Sequence, residues 1–240
     1  MSDMNFQYQI NGKSVEVRFS ESSPFVDIWE SSPETIDQAK FLCHWVGVQF
    51  QLFNKSSLYI KELGVPDLSN YEGLVFFPGS FHPWHDGHRA CLDESGRDII
   101  IVCPDQNPWK EDLEESHDGE CPWQNFKNLR RVLSGTKHIV YPGFLALDRR
   151  NPTVDWLPKV LANKKELIIG DDSFVNLPDW KDSEKLVESI DVLHICPRDE
   201  DLNKIESSIE WMKSINSNCE LRFLNNHPFQ HLSSTLLRTT

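Results

Sequence analysis

From residue 71 onward, short apolar runs alternate with stretches of helical pattern, and this rhythm constrains the fold more than any other feature. The predicted strands are Leu74–Phe77, Ile99–Cys103, His138–Tyr141, Leu167–Ile169, Val192–Cys196 and Leu221–Leu224. The predicted helices are Gly87–Glu94, Asn125–Leu133, Val154–Ala162, Ser183–Ser189, Asp201–Ile215 and Ser233–Arg238. Strands that alternate with helices at this spacing are typical of parallel strands joined by crossover helices. The sequence therefore predicts an α/β domain with a doubly wound parallel sheet over residues 71–240.

Residues 1–70 have a different pattern and form a predicted N-terminal extension. Residues 5–19 alternate apolar and polar side chains around Asn11-Gly12, which is the strongest short signal for a β-hairpin. A helix is predicted from about Glu34 to Leu52, and a shorter one over Ser56–Leu63. The first helix has an apolar stripe that consists of Phe41, Trp45, Val48 and Leu52. This stripe could cover the sheet or contact another copy of the chain.

The charge balance limits the partners that the chain can bind. Its 240 residues carry 24 Lys and Arg against 37 Asp and Glu, a formal net charge of −13. Because nucleic-acid backbones are bound by clustered Lys and Arg, this balance argues against a general nucleic-acid-binding protein. A small anionic ligand needs only a few local cations, so any phosphate site must be built from individual residues.

Neither a membrane span nor a disulfide framework is predicted. No apolar run approaches the length of a membrane-spanning helix, and the first residues lack the apolar core of a signal peptide. We therefore expect a soluble cytoplasmic protein without a membrane partner. Six scattered cysteines show no zinc-like spacing, and we expect reduced thiols that pack as small core residues; they are Cys43, Cys91, Cys103, Cys121, Cys196 and Cys219.

The segment PGSFHPWHDGH, residues 78–88, follows the first predicted strand of the sheet. Ligands of doubly wound sheets bind outside the carboxyl ends of the strands, where this turn would lie. Gly79 lets the backbone turn tightly, and Gly87 lies where the free N–H groups of a helix start favour an anion. His85 and His88 are three residues apart, so both can face the same side of the first turn. The pattern favours an anion site, although two ordinary surface or capping histidines would give the same letters.

This segment resembles the signature Gly-Ser-Phe-x-Pro-x-His-x-Gly-His of the nucleotidyltransferase superfamily. Three further segments resemble motifs of the nicotinate and nicotinamide mononucleotide adenylyltransferases: CPDQNPWK (103–110), IIGDDSFVNLPDWKD (168–182) and LSSTLLR (232–238). A weaker match is LDRRNPTVDWL (147–157). Because the segments occur in the family's order over residues 72–240, the set is far more specific than any one of them. The resemblance implies a Rossmann-like nucleotidyltransferase fold.

The resemblance also implies an activity and a set of site residues. The activity is transfer of the adenylyl group of ATP to nicotinate or nicotinamide mononucleotide, with release of pyrophosphate and with Mg²⁺ balancing the phosphate charge. The implied catalytic residues are His85, His88, Lys110 and Arg238. The implied nucleotide-binding residues are Gly79, Ser80, Phe81, Gly87, Gly170, Asp172, Ser233, Ser234 and Thr235. The implied acceptor-binding residues are Asn107, Thr153 and Trp180, and no protein side chain is expected to ligate a metal.

The residue types suit this chemistry. Adenylyl transfer depends on positioning and charge stabilisation and needs no protein nucleophile. Lys110 would supply a mobile point charge, and Arg238 a planar fork that matches phosphate oxygens. Two of the residues implied to bind the acceptor substrate also have a simpler structural explanation. Trp180 is equally well explained as a core residue, and Thr153 as a helix cap.

Several alternatives stay open at this point. The acceptor could be the nicotinate or the nicotinamide mononucleotide, and a homo-oligomer is neither required nor excluded. Other adenylyltransferases and cytidylyltransferases share the fold, although the 103–110 and 168–182 segments argue against them. A different class of function is a nucleotide-binding sensor or scaffold that has lost catalysis.

Overall fold

Six parallel strands form the central sheet in a computed structural model, which describes residues 4–10, 13–20, 23–28, 48, 51–52, 67–104, 128–141, 152–198, 200–234 and 237. The sheet strands are β4 (Gly73–Gly79), β5 (Ile101–Pro104), β6 (Ile139–Val140), β7 (Lys164–Gly170), β8 (Val192–Cys196) and β9 (Glu220–Phe223). Their spatial order is β6-β5-β4-β7-β8-β9, and every pairing is parallel. The predicted doubly wound parallel sheet is confirmed.

The strand order reverses direction between β4 and β7. The chain runs from β4 outward to β6, returns to β7 beside β4, and then continues outward to β9. Such a reversal opens a crevice at the carboxyl ends of the two central strands, which is where doubly wound folds bind ligands.

The described helices agree with the predicted ones in place but not always in length. They are α1 (Asp86–Glu94), α2 (Thr153–Trp156), α3 (Asp171–Val175), α4 (Ser183–Glu188) and α5 (Leu202–Ile215), with 3₁₀ turns at Leu68–Asn70, Leu157–Lys159 and Leu177–Asp179. Residues 128–132 are also helical. The helix predicted over Val154–Ala162 is shorter, because it tightens into a 3₁₀ turn containing Pro158 and then ends. Helix α3 was not predicted, and it begins directly at the end of β7.

Alternate residues of the central strands face two separate buried clusters. Val75 and Phe77 point to the cluster that includes Cys91 and Leu92 of α1, which we call the α1 face. Phe76 points to the opposite cluster, which includes Met212 of α5 and which we call the α5 face. Because both faces of the sheet are covered, the strands read as continuous apolar runs in the sequence.

The four described cysteines are buried, as expected for thiols that pack as small core residues: Cys91, Cys103, Cys196 and Cys219. Cys43 and Cys121 lie outside the described residues. No helix in the described part of the chain has the length and apolar character needed to cross a membrane.

The N-terminal extension contains the predicted hairpin and one more strand. Strands β1 (Met4–Ile10) and β2 (Lys13–Ser20) pair antiparallel with Ile10 opposite Lys13. Strand β3 (Ser23–Ile28) adds to β2 and was not predicted. The segment predicted as helix 56–63 lies outside the described residues.

Part of the predicted helix over 34–52 is described and packs against the main domain. Val48 and Leu52 are fully buried in the α5-face cluster. The backbone carbonyl of Leu52 accepts a hydrogen bond of 2.8 Å from the N–H of Leu161. Phe41 and Trp45, the other residues of the predicted stripe, lie outside the described residues.

Candidate active site

The sequence-predicted site residues that the structure describes follow the carboxyl ends of several strands. Gly79 is the last residue of β4, and Gly170 is the last residue of β7. These two strands are neighbours at the reversal of the strand order. Ser233 and Ser234 follow β9 at a distance of about ten residues in the chain. Four predicted residues lie outside the described residues and keep their roles as predictions only: Asn107, Lys110, Thr235 and Arg238.

The Gly-Ser-Phe turn after β4 is shaped by the way Phe81 folds back under it. Phe81 has a φ of 49°, in the left-handed region, and its side chain is 1% exposed. Its ring packs edge-on against His88 with a centroid separation of 5.0 Å. A Cβ on Gly79 would lie 2.9 Å from the Phe81 ring, so this position needs a glycine. Phe81 is thus placed to support His88 through packing rather than to present its ring to a ligand.

His85 and His88 form one unit at the start of α1. Their rings stack with a centroid separation of 3.7 Å and an interplanar angle of 24°. Nδ1 of His88 accepts a hydrogen bond of 3.3 Å from the backbone N–H of His85, so His88 also serves one donor at the helix start. Both histidines are 6% exposed. The two imidazoles therefore lie on the same side of the first turn, as predicted, and they contact each other directly.

His85 is buried without a hydrogen-bond partner for its ring. Neither Nδ1 nor Nε2 makes a well-formed hydrogen bond among the described residues, although the ring faces the backbone N–H of His88 in a capping-box arrangement. The pKa of His85 is lowered to about 4, mainly by burial and also by the charge of Arg198, while the charge of Asp86 opposes the shift. At neutral pH the ring is therefore uncharged and offers one N–H donor and one acceptor. Because unpaired buried polar groups cost free energy, the ring is suited to a ligand that supplies the missing partner.

The segment after β9 lies directly against this helix start. A Cβ on Gly87 would lie 3.0 Å from both the His85 ring and the backbone carbonyl of Phe229. The hydroxyl of Ser234 donates a hydrogen bond of 3.0 Å to the carbonyl of Pro83. Ser234 is buried and helical, and Ser233 beside it is half-buried. The structure thus brings together the first and last of the sequence motifs.

Residues after β7 and β8 form the neighbouring part of the site. Asp172 is half-exposed and lies 3.9 Å from Nε of Arg198, measured from its Oδ1. Asp171 is buried, and its Oδ2 accepts a hydrogen bond of 2.8 Å from the backbone N–H of Arg198. Burial raises the pKa of Asp171, while hydrogen bonds from the backbone of Arg198 and Glu200 oppose that shift. The Gly-x-Asp segment is therefore fixed to the end of β8.

Arg198 lies beside these predicted site residues but was not itself predicted from the sequence. Its Nη1 donates a hydrogen bond of 2.9 Å to the carbonyl of Leu232, in the last motif segment. The sequence signal was an arginine two residues after the apolar run VLHIC, at the carboxyl end of a predicted strand. That signal is weak without a structure, because the letters do not show which elements the side chain reaches.

Thr153 and Trp180 belong to a second group of predicted residues. Thr153 is buried at the first position of α2, and Trp180 is partly buried against the α5-face cluster. Nζ of Lys181 lies 2.9 Å from Oδ1 of Asp155, which joins the segment of Trp180 to that of Thr153. The packing of Trp180 against the core leaves part of its ring accessible for stacking on a ligand.

Comparisons with known proteins agree with the sequence motifs. No protein-family model matches the chain. A probable nicotinate-nucleotide adenylyltransferase of Leptospira interrogans is 27% identical over 179 residues, which is 68% of this chain and 81% of that protein. Proteins with the same name from Sulfurimonas denitrificans and Helicobacter pylori are 28% and 25% identical over 125 and 137 residues. These matches cover 49% and 51% of this chain, and 66% and 74% of the two relatives.

The relatives carry one name, the motifs occur in their expected order, and the sheet has the fold that those motifs imply. In sequence, motif order and fold the chain is therefore similar to the nicotinate-nucleotide adenylyltransferases.

Proposed function

We propose that the protein transfers the adenylyl group of ATP to nicotinate mononucleotide, releasing pyrophosphate and forming the dinucleotide precursor of NAD. The observation that carries the proposal is the buried, unpartnered ring of His85 at the start of α1. An uncharged imidazole beside free helix N–H groups suits the oxygens of a phosphate. The names of the relatives favour the nicotinate form of the acceptor over the nicotinamide form.

In this reaction an oxygen of the acceptor phosphate attacks the α-phosphorus of ATP. A bond forms between that oxygen and the α-phosphorus, and the bond from the α-phosphorus to the bridging oxygen of the β-phosphate breaks. Pyrophosphate takes the bonding electrons and leaves. Because the attacking phosphate is already ionised, no general base is needed, and the protein acts by positioning and charge stabilisation.

The residues divide this work between them. His85 and His88 would donate to oxygens of the reacting phosphates, and Ser234 would hold the last motif segment beside them. Asp172 would accept hydrogen bonds from the adenosine part of ATP. Lys110 and Arg238 would add positive charge, and Trp180 would stack on the pyridine ring of the acceptor.

Mg²⁺ would enter this site as a partner of the ATP phosphates, whose charge it would balance. Among the described residues, no group of three or more His, Cys, Asp or Glu side chains could hold a metal ion. Mg²⁺ commonly binds through substrate phosphates with few protein ligands.

A pyrophosphate-release assay with a panel of acceptors tests the proposal. With ATP and Mg²⁺, we expect turnover with nicotinate mononucleotide, slower turnover with nicotinamide mononucleotide, and none with phosphopantetheine. The double variant His85→Ala/His88→Ala, purified in parallel, controls for contaminating activity. Turnover only with CTP and an alcohol phosphate would assign the chain a different reaction, and ATP binding without turnover on any acceptor would favour the sensor or scaffold.

A further inference from the structure

We propose that Arg198 is a phosphate-binding residue of this site and contacts the triphosphate of the bound nucleotide. The inference rests on the proposed function for the identity of that nucleotide, but not for the presence of an anion. Its basis is the position of one guanidinium among three motif segments that are distant in the sequence.

The side chain of Arg198 crosses the end of β7. A Cβ on Gly170 would lie 2.9 Å from Nε and 3.0 Å from Cδ of Arg198. Because Gly170 has no side chain, the Arg198 side chain can pass over this position. This gives the glycine of the Gly-x-Asp segment a concrete role. The guanidinium is thereby carried from the end of β8 over the central crevice of the sheet.

The guanidinium of Arg198 has donors that its contacts with the described residues leave unused. Nη1 bonds to the carbonyl of Leu232, and Nε makes only the 3.9 Å ion pair with Asp172. Within the described residues, Nη2 makes no hydrogen bond. The field of Arg198 reaches the ring of His85, which places its charge near the proposed phosphate contacts. A planar fork with spare N–H groups matches phosphate oxygens well.

A purely structural role would use the same contacts differently. In that case Arg198 would only tie Leu232 and Asp172 together, and its loss would loosen the adenosine and phosphate parts of the site alike. A phosphate contact instead predicts a loss that depends on the phosphates of the ligand. Binding of adenosine and of inorganic tripolyphosphate therefore separates the two roles.

The experiment compares Arg198→Met and Arg198→Lys with the unmodified protein by isothermal titration calorimetry. For Arg198→Met we expect tripolyphosphate to bind about 10-fold or more weakly, since charge-assisted hydrogen bonds are the strong ones. Adenosine should bind within about twofold of the unmodified protein, because no phosphate is involved. Arg198→Lys keeps the charge without the fork and should lose less tripolyphosphate affinity than Arg198→Met.

Arg222→Met is the matched control, because Arg222 is engaged by Glu220 at 2.6 Å on the outer strand β9. It should leave both affinities unchanged. Unchanged tripolyphosphate binding by Arg198→Met, a parallel loss for adenosine, or no tripolyphosphate binding by the unmodified protein would each overturn the inference. The pyrophosphate-release assay reports separately on the proposed function, because the calorimetry requires no acceptor and no turnover.

Discussion

The hydroxyl of Ser234 donates a hydrogen bond to the backbone carbonyl of Pro83, 151 residues earlier in the chain. Pro83 lies in the turn that leads to His85, and Ser234 lies in the segment that leads to Arg238. The bond thus joins the two ends of the family's motif set across the carboxyl edge of the sheet. It gives the buried serine of the last motif a positioning role besides any contact that it makes with ATP.

Replacing Ser234 with alanine should loosen this connection. One hydrogen bond of this kind contributes about 1 kcal/mol, so we expect ATP affinity to fall about fivefold and the melting temperature by about 2–4 °C. The control is Ser207→Ala, which removes a bond of 3.0 Å from an exposed serine to the carbonyl of Asn203. Calorimetry and thermal unfolding check both variants, and equal effects at the two positions would contradict the connecting role.

Substitutions of His88 can separate its packing from its proposed catalytic role. His88→Asn keeps an acceptor near the position of Nδ1, which bonds the N–H of His85, but removes the Nε2 end of the ring. We expect turnover to fall about 100-fold or more, the usual loss for one charge-stabilising donor, with a much smaller change in ATP binding. His88→Gln, which places a polar group near the position of Nε2, should retain more turnover than His88→Asn.

His138→Asn serves as the control for His88, because His138 lies next to the amino end of β6, away from the carboxyl edge of the sheet. Its turnover should match that of the unmodified protein. Normal turnover in His88→Asn, or loss explained entirely by unfolding, would show that His88 acts through packing alone.

The lowered pKa of His85 predicts a dependence of stability on pH. In the folded protein His85 titrates at about 4, below its ordinary value of 6.5, so only the unfolded chain takes up this proton between those values. Its contribution to stability is therefore complete above about pH 6.5 and is lost as the pH falls towards 4. His85→Asn should flatten the decrease in unfolding free energy between about pH 7 and pH 5, measured by urea denaturation.

The exposed His231 provides the comparison for this pH effect. His231→Asn should keep the pH dependence of the unmodified protein. A curve for His85→Asn as steep as that of the unmodified protein would contradict the burial of an uncharged imidazole at this position.

Local pattern predicted the central sheet well where a strand is buried on both faces. All five residues of Val192–Cys196 are buried, and the predicted strand matches β8 at both ends. Strand β6 is two residues long instead of the predicted four, because its pairing with β5 covers only Ile139 and Val140. Helix α3 was missed because Asp171, Asp172 and Ser173 read as a loop, although acidic residues favour the first turn of a helix.

The partners of charged side chains that lie far apart in the chain could not be predicted from the sequence. Arg198 selects the carbonyl of Leu232, and Glu166 pairs inside the protein with His194 at 2.7 Å, measured from Oε2 to Nε2. Arg97 also pairs with Glu166, and its Nη2 lies 2.7 Å from the same Oε2. Periodicity places each residue on a strand or loop. The partner of each residue depends on the spatial order of the strands, which the local sequence pattern does not reveal.

The N-terminal extension packs against the main domain through Leu52. Leu52 is fully buried in the α5-face cluster, whereas Leu202 at the start of α5 is 74% exposed. Leu52→Ala should cost about 2–5 kcal/mol and lower the melting temperature by roughly 5–15 °C, because it empties a packed site. Leu202→Ala makes the same chemical change at an exposed position and should have little effect.

Deleting residues 1–70 should have a larger effect of the same kind. The fragment 71–240 would lose both Val48 and Leu52 and would expose the apolar surface that they cover. Exposed apolar surface of this kind promotes aggregation, so we expect insoluble or strongly destabilised protein. Soluble expression and thermal unfolding measure the outcome. A soluble fragment with full pyrophosphate-release activity would show that residues 1–70 are an independent accessory unit, and the burial of Leu52 would then be a docking contact rather than part of the core.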